Sequence, residues 1–236
     1  MRARQRDAAE LAAARFGADS RLMGSPATGP FAGLDEQALR SLCPQGAART
    51  CARSVIVVSA GDSTDSLYVI LSGRVKAFVS DEQGKEVVVN TIGAGDFFGE
   101  LVLDGGPRAA SIMTLEPCRF YVISAEEAER LLVTNPAFGR DLIRKLIGKV
   151  RSLTGQVRDL ALKDVYGRLA KFVDENALER DGQRVVAERL TQNEIAARIG
   201  GSREMVSRIL GDLADGGYIA VEAKRIILLK KLPPRW

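Results

Sequence analysis

Histidine is absent from this 236-residue chain. That excludes Ser–His–Asp and Cys–His nucleophile pairs and every metal or haem site that needs an imidazole ligand. Cysteine is scarce. Cys43, Cys51 and Cys118 are odd in number and widely spaced, which argues against a disulfide framework and against an iron–sulfur cluster held by closely spaced thiolates. No apolar run approaches the roughly 20 residues that span a bilayer. The opening "MRARQRDAAELAAARF" is basic, and Asp7 and Glu10 interrupt any apolar h-region. Neither a membrane span nor a secretory signal is therefore expected, and the expected location is cytoplasmic. No nucleophile–base pair, metal cluster or GK[ST] loop supports an enzyme. No catalytic residue, metal or covalent cofactor is assigned.

What remains is a globular composition, 46% hydrophobic and 27% charged, long enough for one large domain or two modest ones. The formal charge of +4 and a pI near 9.1 favour an anionic partner.

Residues 1–30 read as a flexible leader ending in the linker "GSPATGP". "FAGLDEQALRSL" has apolar residues at helical spacing, with acids in its first turn. From Val55 to Ile123 short β-rich runs alternate with turn signals, as in "SVIVVS", "LYVILSG", "RVKAFVS" and "VVVNTI". That cadence predicts a small antiparallel β-domain, with "DEQG" as a hairpin turn. Pro136 should end one helix near Thr134 and start another. In the second, Ile143, Leu146, Val150, Leu153, Val157 and Leu160 step alternately by three and four, with Asp164 continuing the register. Such a stripe predicts a dimer seam, and Arg144, Lys145, Lys149, Arg151 and Arg158 suit solvated flanks. A core helix packed on the β-domain is the alternative.

"LTQNEIAARIGGSREMVSRILGDLADGGYI" predicts two short helices around a glycine turn. Thr191 to Glu194 forms a capping box, and Ser202 can cap the second helix. "YIAVEAKRIILLKK" then reads as two strands, so the whole is a winged helix-turn-helix. Arg203, Glu204, Ser207 and Arg208 stand in the first turns of the second helix. Arginine can fork onto guanine and glutamate can accept from cytosine, so with Thr191, Gln192 and Ser202 they form the expected DNA-binding set. A solvated charged face is the plain alternative.

One stretch remains, "FFGELVLDGGPRAAS". It puts Glu100 and Arg108 on either side of a tight bend. They could close the loop as a salt bridge, or offer an acceptor and a cation to a ligand.

The order of β-domain, long helix and winged helix-turn-helix resembles the Crp/Fnr family of bacterial transcription regulators. The resemblance covers about Phe31 to Lys231. It rests on "GD-x4-LYVILSG" (Gly61 to Gly73), "GELVLDGGPRAAS" and "TQNEIAARIGGSREMVSRIL". It implies an α+β fold: an antiparallel, jelly-roll-like sensor β-roll at 31–135, a dimerisation helix at 136–164 and a winged helix-turn-helix domain at 165–236. The glycine–glutamate–leucine segment would be a phosphate-binding cassette. Glu100 would accept from a ribose hydroxyl and Arg108 would pair with a cyclic phosphate. Gly99, Leu101 and Ala109 would line the site, and Thr154 would hold the base. The implied effector is a cyclic nucleotide such as cAMP. The implied partners are a palindromic double-stranded DNA operator, a second copy of the chain and RNA polymerase, with no membrane. Ala109 stands where a hydroxyl residue is frequent, and Leu153–Thr154 where cAMP-binding members carry two hydroxyls. Cyclic di-GMP, another effector or none is one alternative. A cyclic-nucleotide module that binds no DNA is the other.

Overall fold

A computed structural model describes residues 31, 33–63, 65–180, 182–186, 188–222 and 224–233. The leader assigned to residues 1–30 lies outside the described residues. The chain forms two compact units, Met1–Val79 with Val89–Val150, and Ser80–Val88 with Arg151–Trp236.

The first unit opens with α1 (Glu36–Leu42), capped by the Asp35 carboxylate, which accepts from the Ala38 N–H. Eight strands follow, of which β4 ends and β5 begins within the Ser80–Val88 segment of the second unit: β1 (Ala47–Cys51), β2 (Ile56–Val58), β3 (Ser66–Ser72), β4 (Arg74–Ser80), β5 (Glu86–Gly93), β6 (Phe97–Phe98), β7 (Ser111–Thr114) and β8 (Cys118–Ser124). They make two four-stranded sheets, ordered β1-β8-β3-β6 and β2-β7-β4-β5, in which β1 with β8, β8 with β3, β3 with β6, β2 with β7 and β7 with β4 pair antiparallel. The "DEQG" turn closes with the Asp81 N–H donating to the Lys85 carbonyl. A 3₁₀ turn, Glu100–Leu103, separates β6 from β7.

Strand β3 shows how the sequence builds this unit. Successive side chains of a strand face opposite ways. Leu67 and Val69 join Phe97, Tyr121, Ile123, the turn residue Phe31 and the helix residues Leu39, Leu131 and Phe138 in one core. Tyr68 and Ile70 join Phe98, Phe120, Val75 and Ile112 in a second core between the sheets. Burial on both faces is why "LYVI" is an unbroken apolar run rather than an alternating one.

Helix α2 (Ala125–Thr134), capped by Ser124, ends before Pro136, and α3 runs Pro136–Leu162. Its first part, through Phe138 and Leu142, packs on the first core. Asp164 does not continue the α3 register. The helix breaks after Leu162, and Asp164 caps α4 (Val165–Asn176) by accepting from the Gly167 N–H at 2.7 Å.

In the second unit, strands β9 (Ala177–Arg180) and β10 (Gln183–Val186), which the sequence reading passed over, pair antiparallel. They extend the wing into a four-stranded sheet of order β11-β12-β10-β9, with β11 at Ile219–Glu222 and β12 at Arg225–Leu228. Helices α5 (Gln192–Ile199) and α6 (Arg203–Asp215) pack through Ile195, Ile199, Val206, Ile209, Leu210 and Leu213 against Leu169 and Val173 of α4.

Candidate functional site

Glycine 99 opens the bend. Its φ of +90° favours a residue with no side chain, and a Cβ there would lie 2.6 Å from Arg108 Nη1 and 2.7 Å from the Ser66 carbonyl. It is the N-cap of the 3₁₀ turn and supplies no side-chain cap. The turn holds Glu100 and Leu101, and Asp104 to Pro107 then return the chain to Arg108. Arg108 is anchored through its main chain: its N–H donates to the Asp62 carbonyl at 2.9 Å, and its carbonyl accepts from Gly61 at 2.8 Å. The "GD" of the upstream motif thus meets the arginine of the cassette.

Arg108 is only 6% exposed. Its Nη2 donates to the Ser66 carbonyl at 2.9 Å and lies 3.7 Å from Asp65 Oδ1. Its Nη1 is buried and has no hydrogen-bond partner. The guanidinium also lies 5.8 Å from the centre of the Tyr68 ring. A buried donor left unmade costs about 1–3 kcal/mol, and more for a charged group, so Arg108 Nη1 is a donor with capacity for one more acceptor.

Glu100 does not pair with Arg108. The loop-closing salt bridge is replaced by an ion pair with Lys149 of α3, whose Nζ lies 2.7 Å from Glu100 Oε1. Burial pushes the Glu100 carboxyl up, but the Lys149 charge and hydrogen bond outweigh it, with help from the residue's own N–H and from Lys145. The result is a carboxyl below its ordinary range, ionised and able to accept. One turn earlier, Lys145 pairs with Asp96, reaches the Phe97 carbonyl, and lies 3.6 Å from the Phe97 ring centre. Lys145 and Lys149, expected on solvated flanks, are the site residues that sequence reasoning missed. Their i, i+4 spacing on the α3 face opposite the acids was the available signal.

Within the first unit the structure thus brings together Gly99, Glu100, Leu101, Arg108 and Ala109, with Ala109 exposed. Thr154 is exposed on α3 and belongs to the second unit. On α3, Ile143, Leu146, Val150, Leu153, Val157 and Leu160 are between 37% and 65% exposed. The stripe is therefore an exposed apolar face, and Leu160 approaches the Gly200 turn within the second unit.

The cysteines offer no chemistry. All three are buried and unpaired. Burial, with Glu127 nearby, pushes the Cys43 thiol up to about 12, and burial also raises Cys118. Among the described residues no Cys, Asp and Glu cluster could hold a metal, and no helix is long and apolar enough to cross a membrane.

In the second unit the Thr191 hydroxyl accepts from the Glu194 N–H at 3.2 Å, while the Glu194 carboxylate accepts from the Thr191 N–H at 2.7 Å. Gly200 ends α5 at φ +65°, and Ser202 caps α6 by accepting from the Met205 N–H. Arg203, Glu204, Ser207 and Arg208 then stand exposed along the first two turns of α6, with Gln192 half-buried at the start of α5.

Residues 48–135 match the family model of the cyclic nucleotide-binding domain, and residues 167–232 match that of the Crp-like helix-turn-helix domain. The chain belongs to the Crp/Fnr family of transcription regulators. It is 32% identical over 205 residues to the CRP-like cAMP-activated global transcriptional regulator of Mycobacterium tuberculosis, covering 85% of this chain and 92% of that one. It is 33% identical over 180 residues to the cAMP-activated global transcriptional regulator CRP of Pasteurella multocida, covering 73% and 85%. Among solved structures, the c-di-GMP responsive global regulator CLP of Xanthomonas campestris superposes with a TM-score of 0.71 at 25% identity, over 80% of this chain and 96% of that one. CooA of Carboxydothermus hydrogenoformans shares the fold, with a TM-score of 0.73 at 22% identity over 89% and 94%. As a Crp/Fnr regulator the chain is α+β, with a cyclic-nucleotide-binding-type β-domain, a long helix and a DNA-binding helix-turn-helix.

Proposed function

We propose that this Crp/Fnr regulator is a homodimer that binds a palindromic operator under the control of a cyclic nucleotide held at Arg108. The observation that carries the reading is the buried, unpartnered Nη1 of Arg108. A cyclic phosphate has the charge and the acceptor geometry for it. Glu100, kept ionised by Lys149, is the acceptor for a ribose hydroxyl, and Gly99 leaves room beside the guanidinium. Ligand-binding Gly99, Glu100, Leu101, Arg108 and Ala109 are joined by Thr154 at the base. The sensor is residues 31–135, the dimer helix 136–164 and the DNA-binding domain 165–236. Arg203, Glu204, Ser207 and Arg208 read bases, with Thr191, Gln192 and Ser202 at the backbone. RNA polymerase is the further partner, the reaction chemistry is none, and the place of action is the cytoplasm.

The exposed α3 stripe supports the dimer. Val157→Glu puts a charge into that seam and is expected to shift the protein to monomer. An unchanged dimer mass in sedimentation rejects the seam.

cAMP is the first candidate, because the two regulators that the chain resembles at 32% and 33% identity are cAMP-activated. Cyclic di-GMP is the second reading: Leu153 in the apolar stripe leaves Thr154 as the one hydroxyl of that pair, which weakens the case for cAMP, and the regulator CLP, 25% identical, is c-di-GMP responsive. A thermal-shift series with cAMP, cGMP and cyclic di-GMP tests both. A ligand at a hundredfold excess over its Kd stabilises by about 2.7 kcal/mol, and Arg108→Leu should abolish that gain. The absence of a shift with any of the three overturns the reading.

A further inference from the structure

Arg168 lies on the first turns of α4 and is half-buried. Its Nε donates to the Ile199 carbonyl at 2.7 Å, its Nη1 to the Lys163 carbonyl at 2.7 Å and its Nη2 to the Gly200 carbonyl at 3.3 Å. Lys163 directly follows α3. Ile199 and Gly200 are the end of α5, the turn of the helix-turn-helix. The last carbonyls of a helix have no partners within it and carry the negative end of its dipole. One planar cation therefore bridges two helix ends that are more than thirty residues apart in sequence.

Two further contacts hold the same junction. Asp159, on the last turns of α3, is buried and accepts from Lys171 of α4, with Lys163 at 3.1 Å. At Gly200 an added Cβ would lie 2.9 Å from Leu160 Cδ2, so the turn is pressed against α3. All of these residues lie in the second unit.

We propose that Arg168 is the positioning residue of DNA recognition, fixing the angle between the end of α3 and the α5–α6 pair. Resting on the dimeric reading above, this makes Arg168 set the separation of the two recognition helices and so the half-site spacing that the protein accepts. Lysine is no substitute, because a single ammonium lacks the rigid fork that reaches three carbonyls in fixed directions.

The test uses full-length protein, with Arg168→Lys and Arg168→Gln beside wild type. The probes are a duplex enriched from a random library by the wild type, the same duplex with its half-sites moved by insertions or deletions, and a random-sequence duplex. Both variants should remain dimeric in sedimentation and bind the random duplex as the wild type does. Affinity for the enriched duplex should fall about tenfold, and the preference among spacings should flatten. If Arg168→Gln melts too low to assay, Arg168→Lys carries the test, since it keeps the charge and loses the fork. A spacing profile as sharp as that of the wild type in either folded variant overturns the proposal. A wild type that is monomeric, or that enriches no sequence, fails the dimeric reading instead.

Discussion

Arg108 and Arg203 carry the same guanidinium in opposite surroundings. Arg108 is 6% exposed, fixed by Ser66 and left with one donor unmade, whereas Arg203 stands in water at the start of α6. A buried charge has to be oriented by the fold before any ligand arrives, because leaving it unsatisfied is costly. An exposed one waits for a partner that brings its own acceptors and gives up side-chain freedom on binding. The Arg108 corner is thus built into the stability of its domain, and the exposed start of α6 contributes little to the stability of its own.

The largest effect expected from that contrast is at Gly99. In Gly99→Ala the new Cβ meets Arg108 Nη1 and the Ser66 carbonyl, at a backbone φ of +90°. The expected cost is about 3 kcal/mol of stability together with loss of nucleotide binding. Denaturant unfolding checks the first and thermal shift the second. A stable Gly99→Ala protein that still binds would mean that Arg108 and the Ser66 carbonyl can give way to a Cβ. Arg203→Ala should do the reverse. Stability should stay within about 0.5 kcal/mol, while operator binding falls by about 1–3 kcal/mol with relaxed choice at one base position. Equal weakening on operator and random DNA would reduce Arg203 to a phosphate contact.

The smallest effect is one of pH. The folded-state Glu100 carboxyl lies below its ordinary value, so its pairing stabilises the protein above the unfolded pKa, near 4.3. That contribution is lost as the pH falls through the folded value. Lys149 reaches water, which screens the pair and keeps the contribution small. Glu100→Gln should therefore flatten the acid limb of an unfolding curve and leave it parallel to that of the wild type between pH 6 and about 8.

How much could be read in advance follows the same divide. The α5 capping box, the Ser202 cap and the α6 stripe are local patterns, and the structure has each of them. The two-sided run of β3 was legible for the same reason. Strand β1, "AARTC", was not, because four of its five residues are exposed and no apolar alternation marks it. The β9–β10 hairpin escaped notice in polar sequence, although Asp181–Gly182 between the two runs is a hairpin signal. In the cassette, Glu100 and Arg108 were visible as types but not as partners. Lys149 lies 49 residues from Glu100 and Ser66 lies 42 from Arg108, and only tertiary folding brings such groups together. Asp164 misled because a 3-4 repeat says nothing of where a helix breaks; its carboxylate caps the next helix instead.

The pairing of β1 with β8 joins Ala47 to Val122 and Cys51 to Cys118. During synthesis, β1 therefore has no permanent neighbour until the chain is elongated past Ser124, and the first sheet closes only after the ribosome has delivered nearly all of the sensor. Pairings of such long sequence separation are slow to form, because the loop must close before its contacts reward it. The second unit starts from local pairs, β9 with β10 across one turn and β11 with β12 across another, but its sheet also closes late, when β12 reaches β10 and Leu228 meets Arg184.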